Sequence, residues 1–145
     1  VKQAEFWKTV MVQQPIRCIY SGKLLEQEHF ELDHLIPWSY VCHNQLWNLA
    51  PVLPEANSSK GNCLPAPKYL ESFVQLQIDG LNASHNVMRP ESWTRVTESF
   101  VSDLRVSRSD LLNVNSMKRA FEGSLPAMIS LAEQIGFSTG WEYRG

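Results

Sequence analysis

Asp33 and His34 are adjacent in the stretch FELDHLIPWS, and Asn57 and Lys60 lie three residues apart in NSSKGN. Asn48 sits between them, at the end of a stretch rich in aromatic residues. A carboxylate, an imidazole and an amide brought together are able to bind a divalent ion and activate a water. Asp33 and Asn57 offer oxygen donors, which suit a hard ion such as Mg²⁺, with Mn²⁺ as a substitute. The imidazole of His34 exchanges protons near neutral pH and so can take one from an attacking water. Lys60, one helical turn after Asn57, is placed either to reach a phosphate as a point charge or to stand solvated.

These residues act together only if the backbone gathers them. Phe30, Leu32 and His34 alternate with Glu31 and Asp33, which predicts a strand over 30–34. A regular strand sends Asp33 and His34 to opposite faces, so one site for both requires the strand to end or bulge there. Pro37 supports an ending, because proline donates nothing to a ladder. A second strand is expected over 48–52. Pro54 then suits the first turn of a helix, Glu55 favours that start, and Gly61 or Asn62 stops it. The connection over 35–47 is long for two strands and needs a brace. Asn48 is the candidate, through side-chain amide bonds to loop backbone. Trp38, Tyr40 and Trp47 are expected to pack that loop, and His43 reads as an exposed histidine.

The stretch Phe30–Asn62 resembles the HNH endonucleases of the ββα-metal fold. Asp33–His34, Asn48 and Asn57 fall at that family's three signature positions. DHLIPWS followed by NSSKGN is most similar to the HNH domain of the RNA-guided CRISPR effector nucleases. The resemblance implies an α+β fold: a ββα-metal core with an N-terminal helix and a C-terminal helical region. It implies hydrolysis of nucleic-acid phosphodiesters, DNA foremost, leaving 5′-phosphate and 3′-hydroxyl ends. His34 is then the general base, its other ring nitrogen oriented by a backbone carbonyl. Asp33 and Asn57 hold one Mg²⁺, and Asn48 braces the site. One such site cuts one strand, so a double-strand break needs a homodimer, a partner domain or a second event. The setting that the resemblance suggests is bacterial restriction or anti-phage defence.

Many of these proteins also carry a structural zinc on two Cys-x-x-Cys pairs. Here those positions are Cys18, Ser21, Leu53 and Ala56, of which only Cys18 is a ligand type. No structural zinc is expected, and apolar packing by Leu53 and Ala56 takes its place.

The 145 residues suit an HNH core over 1–65 followed by a helical extension over 66–145, packed on the core or on a partner. Hydrophobic content of 43% and charged content of 19% are those of a globular chain. A net charge of −2 weighs against broad electrostatic binding to nucleic acid, so a local basic patch or a partner must supply the grip. Cys18, Cys42 and Cys63 form no close pair, which fits a reducing, cytoplasmic setting. No apolar run reaches membrane-spanning length and no signal-peptide pattern opens the chain. Val1 in place of methionine indicates processing or a fragment of a longer chain.

Elsewhere, residues 2–13 are expected to form a helix, with Phe6, Trp7, Val10 and Met11 inward and Pro15 ending it. Residues 16–20 and 23–25 suggest a hairpin around Ser21–Gly22. Leu70, Phe73, Val74 and Ile78 make a helical stripe that Gly80 should end, with a loop over 81–89. Further helices are expected from Pro90 to about Leu104, over 110–122 and over 125–135. Gly140–Gly145 reads as a frayed tail that Trp141 and Tyr143 are able to anchor.

Two other functions compete with the nuclease. A non-cleaving nucleic-acid or protein-interaction module fits the acidic charge and the missing zinc ligands, but not the intact Asp33, His34 and Asn57. A zinc hydrolase built from His29, His34 and Asp33 lacks a helical histidine pair.

Overall fold

The computed structural model describes residues 2–145. The predicted strands form where the alternation places them. β1 (Glu31–His34) pairs antiparallel with β2 (Leu49–Val52), with Asp33 opposite Ala50 and His34 opposite Leu49. β1 stops at His34, three residues before Pro37, without a bulge. Asn48 lies just outside β2, in a 3₁₀ turn over Leu46–Asn48. α3 (Pro54–Lys60) begins at Pro54 and ends at Gly61, whose φ of +52° is a conformation glycine adopts without a Cβ clash. Strand, strand and short helix together make the ββα unit.

Around it stand α1 (Lys2–Gln13), α2 (Trp38–Val41), α4 (Leu70–His85), α5 (Pro90–Val96), α6 (Glu98–Leu104) and α7 (Val114–Gln134). The fold class is α+β. One hydrophobic cluster runs through the described residues, from Trp7 and Val10 on α1, past Ala50 and Val52 on β2, to Phe73, Phe100 and Phe121 on the later helices. Gln77 of α4 is buried and donates from Nε2 to the Leu49 carbonyl at 2.8 Å, tying that helix to the start of β2. No helix among the described residues is long and apolar enough to cross a membrane.

Several elements differ from the sequence reading. The hairpin after α1 is a single bridge between Arg17 and Leu24 rather than two strands. α2 lies inside the loop expected over 35–47. Trp47 of that loop is buried, whereas Trp38, expected to pack there, is 51% exposed. α4 runs on through Gly80 to His85. Gly80 is no terminator: a Cβ there would lie 2.9 Å from Trp7 Cη2, so it is the place where α1 and α4 approach closely. Gly80→Ala should therefore destabilise the protein by about 1–3 kcal/mol through overpacking. An unhindered helical glycine would give the opposite sign, because alanine restricts the unfolded chain. Urea unfolding of the two proteins decides between them.

The helix expected from Pro90 breaks in two at Thr97, whose buried hydroxyl bonds the Trp93 carbonyl at 2.7 Å. The two helices expected over 110–135 are one, α7, with Pro126 inside it. Proline removes one donor there, but Met117, Phe121, Leu125 and Ala132 share a buried stripe that holds the helix through the gap. Asn113 caps its start, accepting from the Ser116 amide at 2.9 Å. The C-terminal tail is anchored. Ala66 N–H donates to the Trp141 carbonyl at 2.8 Å, and Tyr143 N–H to the Tyr69 hydroxyl at 2.9 Å.

Candidate active site

His34 stands at the last position of β1, half-buried, with its backbone held from several directions. Its carbonyl accepts from Lys60 Nζ at 2.7 Å. The next amide, Leu35 N–H, donates to the Asn48 carbonyl at 2.9 Å. Its ring Nε2 lies 2.8 Å from Asn44 Oδ1. With the amide oxygen facing the ring, Nε2 is the donor and Nδ1 keeps the lone pair. The orienting group is thus a loop side chain, where a backbone carbonyl was expected.

Asn48 has the bracing part read from the sequence. Fully buried, it accepts from Ile36 N–H at 3.0 Å and donates to the Ile36 carbonyl at 3.0 Å, a two-sided clamp on the chain just after His34. Asn48→Ala is expected to leave both Ile36 groups buried and unpaired, at about 1–3 kcal/mol each. Chemical denaturation should show this loss together with a slower reaction, because the loop that carries Asn44 slackens.

Asp33 points the other way, into the protein, with 2% exposure. Its Oδ2 accepts from the Tyr20 hydroxyl at 2.6 Å, and its Oδ1 lies 3.2 Å from Lys60 Nζ. Burial raises its carboxyl above the usual range, while Lys60 and Tyr20 pull it back down. Burial likewise lowers the Lys60 ammonium, opposed by Asp33. Tyr20 is pushed well above its ordinary value by burial and by the Asp33 charge. Its ring is packed edge-on by Tyr69 and Trp141, at 4.9 and 4.8 Å between centroids. The C-terminal tail therefore helps to hold the residue that holds Asp33.

Lys60 corrects the sequence reading. Expected to face a phosphate or solvent, it is 1% exposed, with its ammonium turned inward to Asp33 and the His34 carbonyl. The reason is the position of α3, whose last turn packs against the end of β1. Asn57, three residues earlier, stays at the half-buried edge. Its Nδ2 donates to Glu31 Oε1 at 2.8 Å, which leaves the amide oxygen turned elsewhere.

The oxygen donors are of the right kind for a hard ion, but their placement does not make a ready ion site. Both Asp33 oxygens are taken by protein donors, and the position facing Oδ1 holds an ammonium. Asn57 is paired with Glu31 rather than with Asp33. No group of three or more His, Cys, Asp or Glu side chains among the described residues is placed to hold a metal. His29, considered for a zinc site, lies 3.7 Å from Glu55 at the surface. Cys18, Leu53 and Ala56 are all core residues, and Leu53 N–H approaches Cys18 Sγ at 3.5 Å.

Four residues of this neighbourhood escaped the sequence reading. A signal for Glu31 existed but went unused: it lies two residues before Asp33 on the same strand face. Tyr20, Asn44 and Gln77 had none, because no local pattern marks them. His43, read as exposed, is half-buried against Trp47, with ring centroids 5.3 Å apart. Its Nδ1 accepts from Gln45 N–H at 3.2 Å, and burial lowers its pKa. The lone pair a base would need is already used, so His34 is the better placed imidazole.

No curated protein and no solved structure matches the chain. A family model described as HNH endonuclease matches residues 18–66. The match begins at Cys18 ahead of β1 and takes in both strands, the Asn48 clamp and α3. Over that span, about a third of the chain, the sequence is similar to the HNH endonucleases.

Proposed function

We propose that this protein hydrolyses phosphodiester bonds of nucleic acid, DNA foremost, with His34 as general base. The observation that supports it best is the fixing of His34: Asn44 sets its tautomer, and Lys60 and Asn48 hold the backbone on either side. Nδ1 takes the proton of a water whose oxygen attacks phosphorus, and the bond to the 3′ oxygen breaks. The divalent ion that the family resemblance implies, Mg²⁺ on Asp33 and Asn57, would polarise the phosphate. As placed, the Tyr20 hydroxyl and the Lys60 ammonium keep both Asp33 oxygens closed to such an ion.

Supercoiled plasmid and labelled RNA, each incubated with the protein and Mg²⁺ or with chelator, test this reading. Nicking of the plasmid that His34→Ala abolishes is expected. Absence of cleavage on both substrates would overturn it. The closed Asp33 favours a second reading, a non-cleaving nucleic-acid-binding module. Retained binding without cleavage under every ion condition is its signature.

A further inference from the structure

A cleft of about 380 Å³ opens between the start of α1, the loop after Asn44, and α5 with α6. Two cations, Lys2 and Arg95, line it, and neither forms an ion pair with a described residue. The one carboxylate on its wall, Glu98, is already neutralised by Arg108 at 2.6 Å. Between the cations lie uncharged hydrogen-bonding groups, among them Gln3, Gln45 and Ser99. The cleft thus carries an unbalanced positive charge in a chain whose net charge is −2.

Its position connects it to the candidate base. Gln3 Nε2, on the cleft wall, donates to the Asn44 carbonyl at 2.7 Å, and the Asn44 side chain holds His34. The cleft wall is thus linked to the His34 ring through a single residue, Asn44. We infer that this cleft binds the phosphodiester backbone of the nucleic acid flanking the scissile bond, with Lys2 and Arg95 each contacting a phosphate. The inference rests on the proposed hydrolase reading for its substrate, but its test does not depend on cleavage. Phosphate contacts of this kind position a strand without reading its sequence. They supply locally the attraction that the overall charge does not.

The test is binding of a fluorescent DNA oligonucleotide to the His34→Ala protein, measured by anisotropy over a series of salt concentrations. Each lost phosphate contact lowers the slope of log K against log salt by about 1. Lys2→Gln with Arg95→Gln should therefore lower the slope by about 2 and weaken binding at low salt. Lys118→Gln with Arg119→Gln, the same charge change on exposed positions of α7, should leave both nearly unchanged. Equal losses in the two double variants, or no loss in the first, would overturn the inference. So would displacement of the oligonucleotide by inorganic phosphate well beyond chloride at equal ionic strength, since the cleft would then be a free-anion pocket. Failure of the wild-type protein to cleave, with the cleft variant still selectively impaired in binding, would sink the hydrolase reading and leave the cleft standing. A wild-type protein that cleaves, beside a cleft variant that binds and cleaves normally, would do the reverse.

Discussion

His34→Ala should slow phosphodiester cleavage by a factor of about 10²–10⁴, the range expected when a positioned general base is removed. Folding should be nearly unaffected, because the ring is half-buried and its one observed side-chain partner, Asn44, lies on an accessible loop. Nucleic-acid binding should persist, since the contacts proposed for it lie elsewhere. Asn44→Ala provides the accompanying test. It leaves the imidazole in place but frees the ring, so the rate should fall by less than in His34→Ala. A His34→Ala protein that cuts at the wild-type rate would remove His34 from the chemistry. His43→Ala should be close to neutral in rate, because that ring already uses its Nδ1.

The second large effect is on stability. Asp33→Ala should destabilise the fold by about 3–5 kcal/mol, because it leaves the buried Lys60 ammonium without its counter-charge. The two charges together contribute far less than this loss suggests. Joint replacement by Asp33→Leu and Lys60→Met should recover part of that loss, the remainder coming from the Tyr20 hydroxyl and the His34 carbonyl left without their partners. Denaturant unfolding of the single and double variants gives the coupling directly. Additive losses would mean that the pair does not act as a unit.

Lys60→Met alone has a pH signature. Without the ammonium, Asp33 keeps the burial that raises its carboxyl and loses the strongest opposing influence. A carboxyl raised above its unfolded value binds more protons in the folded state. Its contribution is fully present below the ordinary aspartate range and is lost as pH rises through the folded value. The variant should therefore weaken more steeply than wild type as pH is raised from about 4 towards neutral. A flat difference across that window would contradict this account. Asn57→Ala, which loses only a bond to exposed Glu31, should change stability little. It is thus the cleaner probe of the proposed ion site, where Asp33→Ala mixes ion binding with folding.

The ββα unit was legible in the sequence because its signals are local. Alternation over 30–34 sets a strand wherever one face is to be buried, and Pro37, Pro54 and Gly61 act through their own backbone restrictions. α1 was legible for the same reason: its apolar residues recur at helical spacing. Asn48 could be read as a brace because an amide has both a donor and an acceptor and the loop before it is long. Helix ends farther along were misread where a local rule met a tertiary demand. Gly80 looks like a stop signal until Trp7 from another helix presses on it. Gly123 and Pro126 look like a break until the stripe from Met117 to Ala132 is buried on both sides of them.

Only the tertiary structure decided which way the site's side chains face. Spacing places Lys60 one turn after Asn57, but it does not say what lies above that turn. The end of β1 lies there, and burial next to Asp33 makes an inward ammonium favourable where solvent would have kept it outside. The hydroxyl of Tyr20 and the amide of Asn44 reach Asp33 and His34 across 13 and 10 residues of chain. No periodicity links residues so separated, because loop closure, not local conformation, brings them together. The sequence therefore determined the backbone that carries the motif and the chemical types at its centre. Three-dimensional packing divided those types between an inward ion pair that supports the fold and an outward, half-buried imidazole held by Asn44.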